Sequence, residues 1–303
     1  MIVVIPEPVT GSNLISSNIP EPDTGESAWT AGTYALGTKK INTTTHRIYQ
    51  VVADPSTADD PLVGITKTPP TWVDIGPTNR WAMFDEVVGT QSTETGSIVV
   101  EETFLDVVNA IAGINIEGAE SVNVQVRTAG DDLVYDTDVP MVNNSYVVDW
   151  YSYYFAPIIR RSEFLLTDLP AYLNAKIKTT ISGLADVSIG ALVAGRQVDL
   201  GVALYGSSWQ AIDFSRKERD EFGNFTIVRR RTADLFDYDV SVNKPLFPYV
   251  KDILKSLSTT PCVWIGSPGQ DDGTTVYGYY KNVQINISSP SILKCTIQVE
   301  GLV

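Results

Sequence analysis

Residues 175–205 read AKIKTTISGLADVSIGALVAGRQVDLGVALY. Three runs in this stretch, Ala175 to Ile181, Val187 to Val193 and Val198 to Tyr205, show period-two alternation or continuous β-branched and apolar residues, with Gly and Asp between them. The pattern extends both ways. Upstream it gives Ile98 to Glu101, Ser121 to Arg127 and Ser145 to Trp150. Downstream it gives Phe225 to Arg229, Tyr238 to Val242, Cys262 to Ile265, Thr275 to Tyr280, Val283 to Ile287 and Leu293 to Val299. Strands at this spacing predict a sandwich or jelly-roll-like architecture rather than βαβ units. One helix interrupts them: Leu246, Phe247, Val250, Ile253, Leu254 and Leu257 share a face, and Pro245 suits a first helical position. The run Phe104 to Ile111 has a passable helical spacing but is β-branched and flanked by strands, and stays undecided.

Composition narrows the function. The chain has 303 residues, 43% hydrophobic and only 19% charged, with 22 basic against 36 acidic side chains and a net charge of −14. Such a balance argues against nucleic acid and against an anionic membrane surface as partners. No apolar run approaches the roughly 20 residues that span a bilayer, so membrane insertion is not expected. The opening Met1 to Ile5 run is broken at Pro6 and Pro8 and lacks a basic region, so it does not read as a secretory signal. Cys262 and Cys295 read as two unpaired core thiols, with pairing between them the alternative. His46 is the only histidine, which leaves histidine-dependent nucleophilic catalysis hanging on one position. No catalytic residue, metal site or cofactor is assigned.

The chain divides by composition into three. Residues 1–27 carry a repeat, Ile5-Pro6-Glu7-Pro8 and Ile19-Pro20-Glu21-Pro22, and read as an extended arm suited to ordering against a neighbouring subunit. Residues 28–91 hold Trp29, Trp72 and Trp81 with Tyr34, Tyr49 and Phe84, and read as a small aromatic β module with strands over Thr33 to Leu36, Arg47 to Val52 and Trp72 to Ile75. Residues 92–303 form the large β region, with a division near residue 200 left open.

Three kinds of residue invite a functional reading. Acidic pairs at Glu101-Glu102, Asp131-Asp132, Asp136 with Asp138, and Asp271-Asp272 could suit glycoside hydrolysis, and the loops Asp54 to Asp60 and Asp131 to Asp138 could offer oxygens to calcium, but solvated carboxylates are the default. Trp150, Tyr151, Tyr153, Tyr154 and Phe155 place five rings in six positions. Read as a strand, alternation would leave at least two rings outside the core, which suggests an interface, with sugar stacking as the competing explanation. Arg229, Arg230 and Arg231 would point to alternate faces of a strand and either meet Asp234, Asp237 and Asp239 across a hairpin or meet acidic groups of a neighbouring subunit.

The small module also carries a resemblance. Ala31-Gly32-Thr33-Tyr34, His46-Arg47-Ile48-Tyr49-Gln50 and Trp72-Val73-Asp74-Ile75-Gly76 resemble the small chitin-binding type of carbohydrate module. The continuation Gly76-Pro77-Thr78-Asn79-Arg80-Trp81-Ala82-Met83-Phe84-Asp85 is similar to a phrase of structural proteins from tailed-bacteriophage and prophage tails, as are Leu200 to Gly206, Phe214 to Arg230 and Thr260 to Trp264. The resemblance covers most of residues 28–303. It implies a virion component of the tail tip or baseplate, made in the host bacterial cytoplasm, forming a homo-oligomeric ring and contacting other tail proteins. The alternative it raises is an adhesin that grips a host-surface glycan through Trp72, Tyr49 and Tyr34.

Overall fold

The computed structural model describes residues 1–23, 26–143, 147–219, 221–267, 273–286 and 291–302. The protein is all-β, and the described residues build an antiparallel sheet of 13 strands. Its spine is the stretch quoted above, which forms one strand, Lys176–Asp199, where the sequence suggests two and part of a third. The turn residues between Ile181 and Val187 become a bulge instead, with the register shifting between Ser182 and Asp186. Glycine permits this. A Cβ on Gly183 would sit 2.4 Å from the Gly118 carbonyl oxygen of the neighbouring strand, and Gly118 itself has φ +75°. Thr275–Asn286 likewise fuses two predicted runs through a shift between Tyr280 and Asn282. The predicted end of the second run, Ile287, lies outside the described residues.

Ala110–Arg127 pairs with one side of the spine from Lys176↔Arg127 to Gly195↔Ala110. On the other side the spine pairs first with Ser92–Thr103 and then with Ile2–Pro6. The undecided run resolves here: Phe104 to Asn109 is irregular, and Ala110 opens a strand.

The amino terminus corrects an expectation. Ile2–Pro6 is extended, as its prolines dictate, but its partners are the spine and Cys262–Ile265 of its own chain rather than a neighbouring subunit. Val3 and Val4 are fully buried on opposite faces of the sheet. Burial on both faces erases period-two alternation, so an interior strand reads as a plain apolar run. Leu14–Ser17 then pairs with Ser92–Thr103, and Ile19 is buried in the core.

Two main cores lie along the spine. One gathers Ile98, Val100, Val122, Val124, Ile177 and Ile181. The other gathers Val3, Val198, Tyr238, Val240, Trp264 and Ile297 under the helix Phe247–Ser256, whose Val250 and Leu254 are buried as the apolar spacing requires. Pro245 sits in a short 3-10 turn, Lys244–Leu246, that leads into it. Cys262 and Cys295 are free thiols in this second core, pushed by burial up to about 12 and about 11.

The small module is a three-stranded sheet, Lys39–Asn42, Arg47–Val51 and Trp72–Pro77, with a short pairing of Tyr34–Ala35 to Ser56–Thr57. Asp60 caps the helical turn Pro61–Gly64 beside it. Met83, just past the module's last strand, packs into the first large core.

Candidate interaction surfaces

The aromatic run is not a strand. Trp150–Phe155 is a six-residue helix, and Asp149 is its N-cap: the Asp149 carboxylate accepts from the Ser152 backbone N–H at 2.7 Å, while Ser152 Oγ faces the Asp149 backbone N–H at 3.0 Å. This reciprocal box satisfies the first turn's donors and holds the Asp149 carboxyl below its usual range, chiefly through the Ser152 backbone bond. Of the predicted strand Ser145 to Trp150, Ser145 and Tyr146 lie outside the described residues.

A helix changes the count of exposed rings. Trp150, Tyr151, Tyr153, Tyr154 and Phe155 are 66–77% exposed, and none packs into a core. Ring contacts in this cluster run within the helix: Tyr151 to Phe155 at 5.0 Å, Tyr153 to Tyr154 at 5.2 Å and Trp150 to Tyr154 at 6.3 Å between centroids. Val148, Ile158 and Ile159 extend the exposed apolar surface at its two ends. Five such rings offer on the order of 500–900 Å² of ring surface, at or above the largest apolar patch of an ordinary monomer.

A second projection leaves the far end of the sheet. Arg216–Arg219 and Phe225–Val228 form a two-stranded ribbon in which every residue is exposed. Arg219 lies over the Phe225 ring at 4.4 Å, and Lys217 bonds Asp213 at 2.8 Å, which holds that carboxyl well below its usual range. The strand ends at Val228, so Arg229, Arg230 and Arg231 follow it rather than alternate along it. Of the two readings of these arginines, neutralisation across the hairpin does not occur. Asp234 accepts from Trp209 Nε1 at 3.0 Å, Asp237 from Gln298 at 2.9 Å and Asp239 from Thr296 at 2.7 Å. Arg231 instead donates to the Gly89 carbonyl at 3.3 Å, and among the described residues no carboxylate pairs with the three arginines.

The proposed glycan rings face inward. Trp72 is 1% and Tyr49 2% exposed; with Val51 they are the core of the small module. Trp72 Nε1 donates to the Asp59 carbonyl at 3.0 Å, and the half-buried Tyr34 meets the Trp72 ring edge-on at 5.9 Å while its hydroxyl donates to the Thr30 carbonyl at 2.7 Å. A domain this small has few other side chains with which to fill its interior. No face of Trp72 or Tyr49 is open to a sugar.

The acidic pairs do not converge. Glu101 and Glu102 point to opposite faces of their strand, and Glu102 is buried with Oε1 lacking a hydrogen-bond partner. Asp136 and Asp138 are held by the Asn123 and Gln125 side-chain amides. Asp271 and Asp272 lie outside the described residues. Among the described residues no group of three or more His, Cys, Asp or Glu side chains is placed to hold a metal ion, and no helix is long and apolar enough to cross a membrane.

Sequence reasoning missed a buried polar node. Glu21, from the second copy of the Ile-Pro-Glu-Pro repeat, accepts from Thr78 Oγ1 at 2.8 Å and Trp81 Nε1 at 3.1 Å and contacts His46 Nδ1 at 3.0 Å. His46 stacks on Trp81 at 4.1 Å between centroids. The amino-terminal segment is thereby fastened to the small module. The one available signal was the coincidence of a repeated glutamate with a lone histidine. No family model, curated protein or solved structure matches this chain.

Proposed function

We propose that this chain is an architectural protein that assembles with copies of itself and with companion proteins, and that it serves as a ring component of a bacteriophage tail tip or baseplate. The observation that carries the reading is the capped helix Trp150–Phe155, which displays five large rings to solvent. Surfaces of this composition gain roughly 25 cal/mol per Å² when covered, and aromatic residues dominate the energetics of such contacts. The phage assignment rests on the resemblance of residues 76–85 and the segments that follow. The competing adhesin reading has no exposed ring at Trp72 or Tyr49 to rest on.

The test is the oligomeric state of the full chain, by sedimentation velocity and negative-stain imaging. The expected result is a closed ring that the triple variant Trp150→Ser, Tyr153→Ser, Phe155→Ser reduces to a monomer of unchanged circular dichroism. A wild-type protein that stays monomeric at all concentrations, or a triple variant that assembles as well as the wild type, removes the reading.

A further inference from the structure

The rim at one end of the large sheet and the ribbon that leaves its other end differ in charge. At one end Leu133–Pro140 pairs with Ala110–Arg127 on one side, and its outer rim has no strand partner among the described residues. Asp131, Asp132, Asp136 and Asp138 are all exposed there, and residues 128–140 contain no Lys or Arg. Lys176 reaches Asp131 at 2.6 Å, but Asp136 and Asp138 are held by the neutral amides of Asn123 and Gln125, which orient the carboxylates without cancelling their charge.

At the other end Ser208–Asp213 and Val202–Ala203 lie along Thr232–Asn243, and the chain runs out into the exposed ribbon. Six of the 22 Lys and Arg fall between residues 214 and 231, beside only three of the 36 Asp and Glu, in a chain of net charge −14. A two-stranded ribbon with both faces bare is marginal by itself and gains from a further strand. An open rim is a template for one.

We propose that the ribbon of one copy docks along the rim Leu133–Pro140 of a second copy, head to tail, with Arg229 and Arg230 set against Asp136 and Asp138. This rests on the assembly reading above and names a contact for it. The partner is a second copy because the complementary surface is on this chain: elsewhere two copies at −14 repel, whereas the basic ribbon and the acidic rim attract and steer the approach. Guanidinium groups suit the role, since their planar forks pair directionally with carboxylates. Because the two surfaces differ, the contact is heterologous, and repetition closes a ring or extends a filament.

Charge reversal on the full chain tests the contact. Arg229→Glu with Arg230→Glu removes the ribbon side, and Asp136→Lys with Asp138→Lys removes the rim side; each is expected to weaken assembly at least tenfold in sedimentation velocity at about 0.1 M salt, where the screening length is roughly 10 Å. Mixing the two variants sets Arg against Asp at one contact and Glu against Lys at the next, so the mixture is expected to regain assembly that neither variant shows alone, and all four changes in one chain are expected to do the same. A second measurement does not depend on assembly strength: Arg230→Cys and Asp138→Cys chains, mixed under mild oxidation, should give a disulfide-linked heterodimer, the native cysteines being buried. Assembly that ignores both reversals yet is abolished by the ring substitutions at 150, 153 and 155 overturns this contact and leaves the assembly reading intact. Failure of the cysteine pair to cross-link, or a wild-type chain that never associates, also overturns it.

Discussion

Two aromatic clusters in this protein use the same residue types to opposite ends. In the small module Trp72 and Tyr49 are enclosed, the indole N–H bonded to the Asp59 carbonyl, and the rings supply the interior of a sheet of three short strands. On the helix Trp150–Phe155 the rings touch one another and face solvent. The difference lies in the backbone. Strand pairing in the module brings Tyr49 and Trp72 onto one covered face, whereas the Asp149 box winds its segment into a turn-and-a-half of helix that spreads rings over about half its circumference. Ring density therefore indicates function only once the local backbone is known. Two buried glutamates repeat the contrast: Glu21 has hydrogen-bond donors around it, while Glu102 sits among apolar side chains with an unsatisfied oxygen.

The largest effect tests that second pair. Burial raises the Glu102 carboxyl to about 8, so the folded chain holds this proton more tightly than the unfolded one. Its stabilising contribution is full below the unfolded value near 4.5 and is lost as pH rises through about 8, a change of roughly 4–5 kcal/mol. Urea denaturation across that window should show Glu102→Gln gaining on the wild type by this amount as pH increases; a constant difference between the two breaks the contrast.

Next comes Trp72→Ala, which empties the module's core and leaves the Asp59 carbonyl without its donor. A loss of roughly 3–5 kcal/mol is expected in chemical denaturation. Glu21→Ala should cost about 1–3 kcal/mol, because Thr78 Oγ1 and Trp81 Nε1 lose their acceptor in a site with little water. Hydrogen exchange should then rise in residues 19–23 before it rises in the spine; simultaneous loosening of both would deny that the node is a local fastening. Smallest in stability is Trp150→Ala, within about 0.5 kcal/mol of wild type by thermal unfolding, as for other exposed positions. Its effect belongs to association, and a large thermal loss would mean the helix supports the fold.

Much of the fold was legible because its signals are local. The helix Phe247–Ser256 follows from the spacing of Val250 and Leu254, and much of Ala110–Arg127, Lys176–Asp199, Thr232–Asn243 and Ile292–Gly301 follows from alternation, whereas Leu133–Pro140, Phe164–Leu166, Ser208–Asp213 and Arg216–Arg219 do not read as strands. What escaped depends on distant partners. Ile2–Pro6 reads as part of an extended arm until the strands that bury it are known, and the bulge at Gly183 looks like a turn until Gly118 is found against it. Trp150–Phe155 was misread for a different reason: aromatic β propensity outweighed Asp149 and Ser152, whose spacing of three residues is a helix-start signal already present in the sequence. Of the candidate surfaces, the ring-rich helix and the arginines stay outside the cores as the sequence suggested, while Trp72 and Tyr49 do not, since a pattern of aromatics does not say which side of a small sheet is covered.

The placement of Ile2–Pro6 sets the order in which the chain is completed. This segment leaves the ribosome well before its neighbours, Gly195–Asp199 and Val263–Ile265. It must therefore wait, unpaired and apolar, until both of those strands have emerged, and this part of the sheet closes only then. A segment held back in this way is a surface for chaperones during synthesis, and the step that seats it joins strands from distant parts of the chain.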